Sequence, residues 1–299
     1  MRAFYCDHFV LSLPPGHRFP MEKYRLLREA VERDGRVRLT VPDAATDAEL
    51  ARAHDPTYVA RVVNGALTGR EVRQIGFPWS LELVERSRRS VGGTLGAARA
   101  ALADGVGANL AGGTHHAFAD HGEGFCVFND VAVAIRALQS EALAARFAVI
   151  DLDVHQGNGT AAIFRSDPDV FTLSVHGASN YPFRKEAGDR DVALPDGTGD
   201  GPYLDAVRTG VAEALATGPD LVFYVAGADP YEHDRLGRLA VTRTGLARRD
   251  REVFDACAGA GVPVAVVMSG GYAEQVEDTV SIHHATIRAA SDVTAGRAA

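Results

Sequence analysis

This chain predicts an α/β fold with a mostly parallel central sheet flanked by helices, and two observations carry that prediction. Apolar runs of strand length alternate with amphipathic stretches of helical length from one end to the other. Two of those runs, 147–153 and 221–228, are almost wholly apolar before ending at acids, as strands buried on both faces do. In chain order, strand-like runs fall near 2–10, 37–42, 107–111, 147–153, 170–175, 221–228 and 262–268. Helical patterns occupy about 20–33, 81–103, 128–140, 158–165, 201–217, 244–260 and 272–290. The Gly- and Asp-rich stretch 176–201 has little periodicity and reads as a long loop, expected to build the rim of a site. No linker, internal repeat or low-complexity segment interrupts the pattern, so residues 1–299 are expected to form one domain.

Composition narrows the function classes. A chain of 299 residues with 46% hydrophobic content can bury a large core. It contains no 20-residue apolar span and lacks the basic-then-apolar order of a signal peptide, so neither a membrane nor an export role is expected. Cys6, Cys126 and Cys257 are odd in number and far apart, which disfavours a disulfide framework and points to a reducing cytoplasm. A net charge of −8 without a basic run disfavours direct nucleic-acid binding. The same charge suits a basic partner such as lysine or another amine.

Four segments carry chemistry. The run 149–159 passes from an apolar strand into Asp151, Asp153 and His155, which alternate along the chain and therefore share one face. A carboxylate and an imidazole so placed make half of a zinc or other first-row metal site. The competing reading is a strand end whose Asp residues cap the next helix. The run 221–230 delivers Asp229 to the end of a second central strand. Asp153, His155 and Asp229 would then leave coordination positions open, a catalytic pattern and not a structural one. After a third strand, Gly112-Gly113 leads to His115 and His116, and a turn there can bring both rings into one pocket; satisfied core histidines are the alternative. The fourth run, 264–272, ends in Ser269-Gly270-Gly271-Tyr272, where Tyr272 alone would read as a structural aromatic.

Together the segments resemble the histone deacetylase superfamily of zinc-dependent acyl-lysine hydrolases, most closely its class IV and bacterial deacetylase-like branch. The matching pieces are Gly112-Gly113-Thr114-His115-His116-Ala117, Gly124-Phe125-Cys126-Val127-Phe128-Asn129-Asp130, the 151–159 run, Ala226-Gly227-Ala228-Asp229, Asp234-Arg235-Leu236-Gly237 and Ser269-Gly270-Gly271-Tyr272. They occur in the family's order and span roughly residues 2 to 290. The resemblance implies the arginase/deacetylase fold. The two-manganese arginase type needs an acid at the position held here by Gly157, so a single catalytic metal is expected.

The resemblance also implies roles. Zinc would be held by Asp153, His155 and Asp229. His116 would act as general base and then general acid, with His115 as its electrostatic partner; Asp151 would pair with His115, and Asn158 with His116. Asn158 stands where class I members carry Asp, which should leave His116 less basic. Tyr272 would donate to the developing oxyanion. Gly124 and Phe125 would form one wall of a substrate channel and Phe183 the opposite wall. Leu236 occupies the position where polyamine-selective members place an acid. Arg18 is expected either on an inner cavity that handles the released acid or in a surface salt bridge. A potassium ion is implied beside the zinc, bound by Asp151, the Ser174 hydroxyl and carbonyls of Asp153, His155 and Val175; a plain strand serine is the alternative for Ser174.

Three function classes follow from this reading. The first is a hydrolase removing acetyl or longer acyl groups from lysine ε-amines of proteins or peptides. The second is an amidohydrolase acting on a small N-acyl amine. The third is a non-catalytic acyl-lysine-binding module, disfavoured because Asp153, His155, Asp229, His115, His116 and Tyr272 are all present.

Overall fold

The computed structural model describes residues 1–297. Eight strands form one sheet: β1 (Arg2–Phe4), β2 (Arg38–Thr40), β3 (Val106–Asn109), β4 (Phe147–Asp151), β5 (Val170–Gly177), β6 (Arg190–Leu194), β7 (Leu221–Val225) and β8 (Val264–Val267). Their order is β2-β1-β3-β8-β7-β4-β5-β6, and every pairing is parallel. The principal helices are α1 (Glu22–Asp34), α5 (Leu81–Asp104), α6 (Asp130–Ser140), α7 (Asn158–Phe164), α8 (Asp200–Ala216), α9 (Arg243–Gly259) and α10 (Val276–Arg297). Three short helices, α2 (Asp47–Leu50), α3 (Pro56–Val63) and α4 (Gly69–Ile75), lie between β2 and α5.

Strand alternation divides the core. Phe147 and Val149 of β4, with Leu221, Phe223 and Val225 of β7, face one apolar cluster shared with α5 and α6. Ala148, Ile150, Val222 and Tyr224 face the other, shared with α1, α8, α9 and α10. Beyond β4, Leu152 and Val154 continue into that second cluster, which leaves Asp151, Asp153 and His155 on the opposite side as their spacing predicts. Because all strands run one way, the ends of β3, β8, β7 and β4 lie side by side at one edge. The chain leaves β3 for β4 and returns later to fill the gap with β7 and β8, so the sequence order breaks at the place where α/β sheets bind ligands.

Three expectations need correction. The 176–201 stretch contains a strand: β6 adds to the sheet edge against β5, with most of its residues exposed. An edge strand of Arg, Asp, Val, Ala and Leu buries too little to show an apolar period. The run 2–10 yields only β1, since the chain from Tyr5 onward leaves the sheet. Helix α10 begins at Val276, not 272, which leaves Tyr272 on the loop after β8.

Candidate active site

Three strand ends, those of β3, β4 and β8, bring His115, His116, Asp153, His155 and Tyr272 to one cavity of about 600 Å³, and the end of β7 sets Asp229 against Asp153 and His155. After β3, Gly112 (φ 77°) and Gly113 (φ 73°) turn the chain in a conformation that L-residues avoid. The buried carboxylate of Asp130, at the start of α6, accepts hydrogen bonds from the backbone N–H groups of Gly113 and Thr114 and fixes the turn. His115 and His116 thereby face the same cavity, their ring centroids 4.1 Å apart. His115 Nδ1 lies 2.6 Å from Asp151 Oδ2, and His116 Nδ1 lies 2.7 Å from Asn158 Oδ1. These two pairings coincide with those the resemblance implies.

The metal-type cluster is equally compact. Ligand atoms of Asp153, His155 and Asp229 all lie within 4.8 Å of one another. His155 Nδ1 is 2.9 Å from Asp153 Oδ1 and 3.2 Å from Asp229 Oδ2. The loop after β8 braces the cluster: the N–H of Gly270 donates to Asp153 Oδ2 at 2.8 Å, and Ser269 Oγ lies 2.8 Å from the same oxygen. Residue 270 must be glycine, because a Cβ there would come within 1.9 Å of Asp229 Oδ2. That oxygen is buried and, although His155 is close, accepts no well-aligned hydrogen bond. Two buried carboxylates, one imidazole and an orphaned carboxylate oxygen fit a single zinc ion. A second metal of the arginase kind has no ligand at 157, where a Cβ would stand 2.3 Å from Asp151 Oδ2.

Charge in the cavity follows from this crowding. Burial and the neighbouring Asp153 carboxylate raise Asp229 to about 7. Burial alone would lower His115 and His155, but Asp151 and Asp153 raise His115 to about 9, and Asp153 and Asp229 raise His155 to about 10. His116 moves the other way: burial and then the charges of His115 and His155 hold it well below 6.5. The two adjacent imidazoles are thus pushed apart, one favouring its protonated form and one its neutral form.

Tyr272 completes the floor. Its backbone N–H donates to Asp234 Oδ2 at 2.6 Å and its carbonyl accepts from Arg235 Nε at 3.1 Å, so the Asp234-Arg235 pair fixes its position. Its ring centroid lies 6.5 Å from that of His155 and 6.2 Å from that of Phe125. Behind it, the buried Lys23 of α1 donates to the carbonyls of Ser269 and Gly271.

The channel differs in part from expectation. Gly124 (φ 56°) and Phe125 (φ 66°) form one wall, and a Cβ on Gly124 would stand 2.7 Å from the His116 ring. The opposite wall next to His116 is Tyr181, whose ring meets it edge to face at 5.0 Å. Phe183, 90% exposed, stands further out on the rim against Tyr181. Leu236 also borders the cavity. Arg18 is exposed where it borders the cavity, and the arginine buried in the wall is instead Arg86, stacked 4.4 Å over the Tyr24 ring. Tyr181, Arg86, Lys23 and Glu123, whose Oε1 lies 2.6 Å from the Asn158 amide nitrogen, escaped the sequence reading, since no periodicity or spacing marks them.

Asp151 and Ser174 are register partners on β4 and β5 and line a second, very small cavity of about 10 Å³. Val175 is buried beside them on β5.

A parallel α/β sheet thus carries, at its carboxyl edge, a histidine pair, a buried tyrosine and a two-acid-one-histidine cluster that could hold a metal ion. Comparison with known proteins makes the class specific: the histone deacetylase domain matches residues 17–287, and the chain belongs to that family of hydrolases. It is 46% identical to an uncharacterized protein of Picosynechococcus sp. over 97% of this chain and 98% of that one. It is 31% identical to histone deacetylase 2 of Arabidopsis thaliana over 89% of this chain and 72% of that one. Among solved structures, acetylpolyamine aminohydrolase from Burkholderia pseudomallei shares the fold, with a TM-score of 0.78, 24% identity, and coverage of 97% of this chain and 98% of that one.

Proposed function

We propose that this protein is a zinc-dependent hydrolase that removes acyl groups from lysine ε-amines of peptides or proteins. The observation that carries the proposal is one cavity lined by Asp153, His155, the His115–His116 pair and Tyr272, with the buried Asp229 clustered against Asp153 and His155. A zinc ion held by Asp153, His155 and Asp229 would supply Lewis acidity to the acyl carbonyl and lower the pKa of the attacking water.

The remaining work belongs to the chain's own groups. His116 is neutral near pH 7, and its Nδ1 faces Asn158, so its Nε2 lone pair takes the proton of the attacking water. The same Nε2 then returns a proton to the leaving amine. His115, kept cationic by Asp151, balances the negative charge that builds beside it. The Tyr272 hydroxyl, kept protonated by burial and by the carboxylates of Asp229 and Asp153, donates to the developing oxyanion. Phe125 and Tyr181 flank the aliphatic stem of the lysine, and Phe183 offers apolar contact at the rim. The buried Arg86, which borders the cavity, is assigned to the acid that is released. Potassium is assigned to Asp151 and the Ser174 hydroxyl, with carbonyls of Asp153, His155 and Val175. The apolar Leu236 leaves no carboxylate there for a second amine, which favours an acyl-lysine over an acylated polyamine.

Release of free lysine from peptides acylated with acetyl through myristoyl groups tests the reading, with Asp229→Ala as control. Turnover that depends on Asp229 supports it. Turnover confined to small N-acyl amines would replace the substrate class, and turnover insensitive to Asp229 would overturn the metal assignment.

A further inference from the structure

The His116–Asn158 pair does not end at Asn158. The amide nitrogen of Asn158 lies 2.6 Å from Glu123 Oε1. Glu123 itself sits in the Gly122-Glu123-Gly124 turn that forms the channel wall, and it receives two further hydrogen bonds, from Gln74 Nε2 at 3.1 Å and from the Tyr181 hydroxyl. No role assigned above uses this carboxylate.

Hydrogen-bond polarity gives the arrangement a direction. A carboxylate can only accept, so the Asn158 atom facing Glu123 must be the Nδ2 amine, and the atom facing His116 must be Oδ1. Oδ1 can only accept in turn, so His116 must carry its proton on Nδ1. The free lone pair is then forced onto Nε2, the nitrogen that faces the cavity. Without an acceptor beyond it, the Asn158 amide would meet His116 equally well after a half-turn, with Nδ2 donating to a deprotonated Nδ1. The ring would then present N–H where a base is required. A carboxylate in place of the Asn158 amide needs no such control, because both of its oxygens accept.

We infer that Glu123 is a positioning residue: it fixes the orientation of the Asn158 amide and through it the Nδ1–H tautomer of His116, so that Nε2 faces the substrate as a base. Through Tyr181 the same carboxylate ties the channel wall to the catalytic histidine. The inference concerns how His116 works in the hydrolysis proposed above and rests on that reading for its consequence, though not for its structural content.

The test is a mutant square with two readouts. Glu123→Ala is expected to lower kcat by about 10- to 100-fold, the usual effect of removing a group that orients a reacting one. Asn158→Asp alone sets two carboxylates face to face and is also expected to lose activity. Combined, the two substitutions should bring kcat back to within about threefold of the wild type, because the new carboxylate accepts from His116 whichever way it turns. ¹⁵N chemical shifts of the His116 ring give the second readout: Nδ1–H in the wild type, mixed tautomers in Glu123→Ala, and Nδ1–H again in the double variant. If Glu123→Ala does not fold, Glu123→Leu serves, since its apolar side chain offers Asn158 no acceptor. Additive losses in the double variant, or an unchanged tautomer in the Glu123 variant, would overturn the inference. The tautomer is read without substrate, so wild-type protein inactive on every acyl amide would defeat the proposed function and leave this result standing.

Discussion

Tyr272 and Gly270 lie two residues apart on the loop after β8, yet their substitutions should fail differently. Tyr272→Phe removes only the hydroxyl that would face the oxyanion. The expected loss is about 10²–10³ in kcat, as for other oxyanion donors, with the zinc content by metal analysis unchanged. Unchanged turnover would remove Tyr272 from the reaction. Gly270→Ala drives a methyl group toward Asp229 Oδ2, at 1.9 Å before any relaxation. It should reduce zinc content and activity together. At this scale the groups that line the cavity or cluster behind it were legible, because their spacing along strand ends is part of the strand's own geometry. Tyr181, Glu123 and Arg86 were not. Each acts through a contact with a distant segment, and no period of 2 or 3.6 encodes such a contact.

The turn from β4 into α7 shows how an element sets the chemistry. Asp151 is the last residue of β4, Asn158 the first of α7, and Gly157 between them lies against the Asp151 carboxylate and the His115 ring. Gly157→Ala should push Asp151 away from His115, costing about 1–3 kcal/mol in chemical denaturation and lowering kcat at least about tenfold. Normal stability and kcat would mean the turn relaxes freely. The buried elements β4, β7 and β8 were readable from sequence as unbroken apolar runs. Edge strand β6 was not, having little apolar face to repeat, and helices α2–α4 are too short to establish a helical period, although Thr46 and Thr68 each form a capping box.

Over the whole molecule, buried polar groups are the places where a single substitution costs most. Arg249 and Asp250 are both almost fully buried; Arg249 also donates to the carbonyl of Gly227, and Asp250 accepts from Tyr224. Arg249→Met strands the Asp250 charge and should cost about 3–5 kcal/mol by urea unfolding. A change within about 1 kcal/mol (about fivefold in the folding equilibrium) would mean that the site is already hydrated. His54 gives the fold a pH dependence. It is buried and neutral, with one ring nitrogen against the Phe118 carbonyl and the other accepting from the Asn129 N–H. Burial holds its pKa at about 4. Above about pH 6.5 the ring is neutral whether the chain is folded or not, and it adds no pH dependence. Below that, the unfolded chain binds a proton that the native chain refuses, so this residue should remove about 2 kcal/mol of stability between about pH 7 and 5. A His54→Gln variant should lose correspondingly less over the same interval.

The strand order carries a consequence for how the chain comes to exist. Among the described residues β8 comes after every other strand, yet it lies between β3 and β7 and bonds to both. Until it emerges from the ribosome, the sheet has a slot at its centre, with the strands that carry the histidine pair and Asp229 held apart. The cavity groups therefore cannot assemble until residues to about 270 have been made, and the unfilled slot presents two apolar strand edges that a second chain could occupy. Folding of this protein is a race between its own final strand and its neighbours.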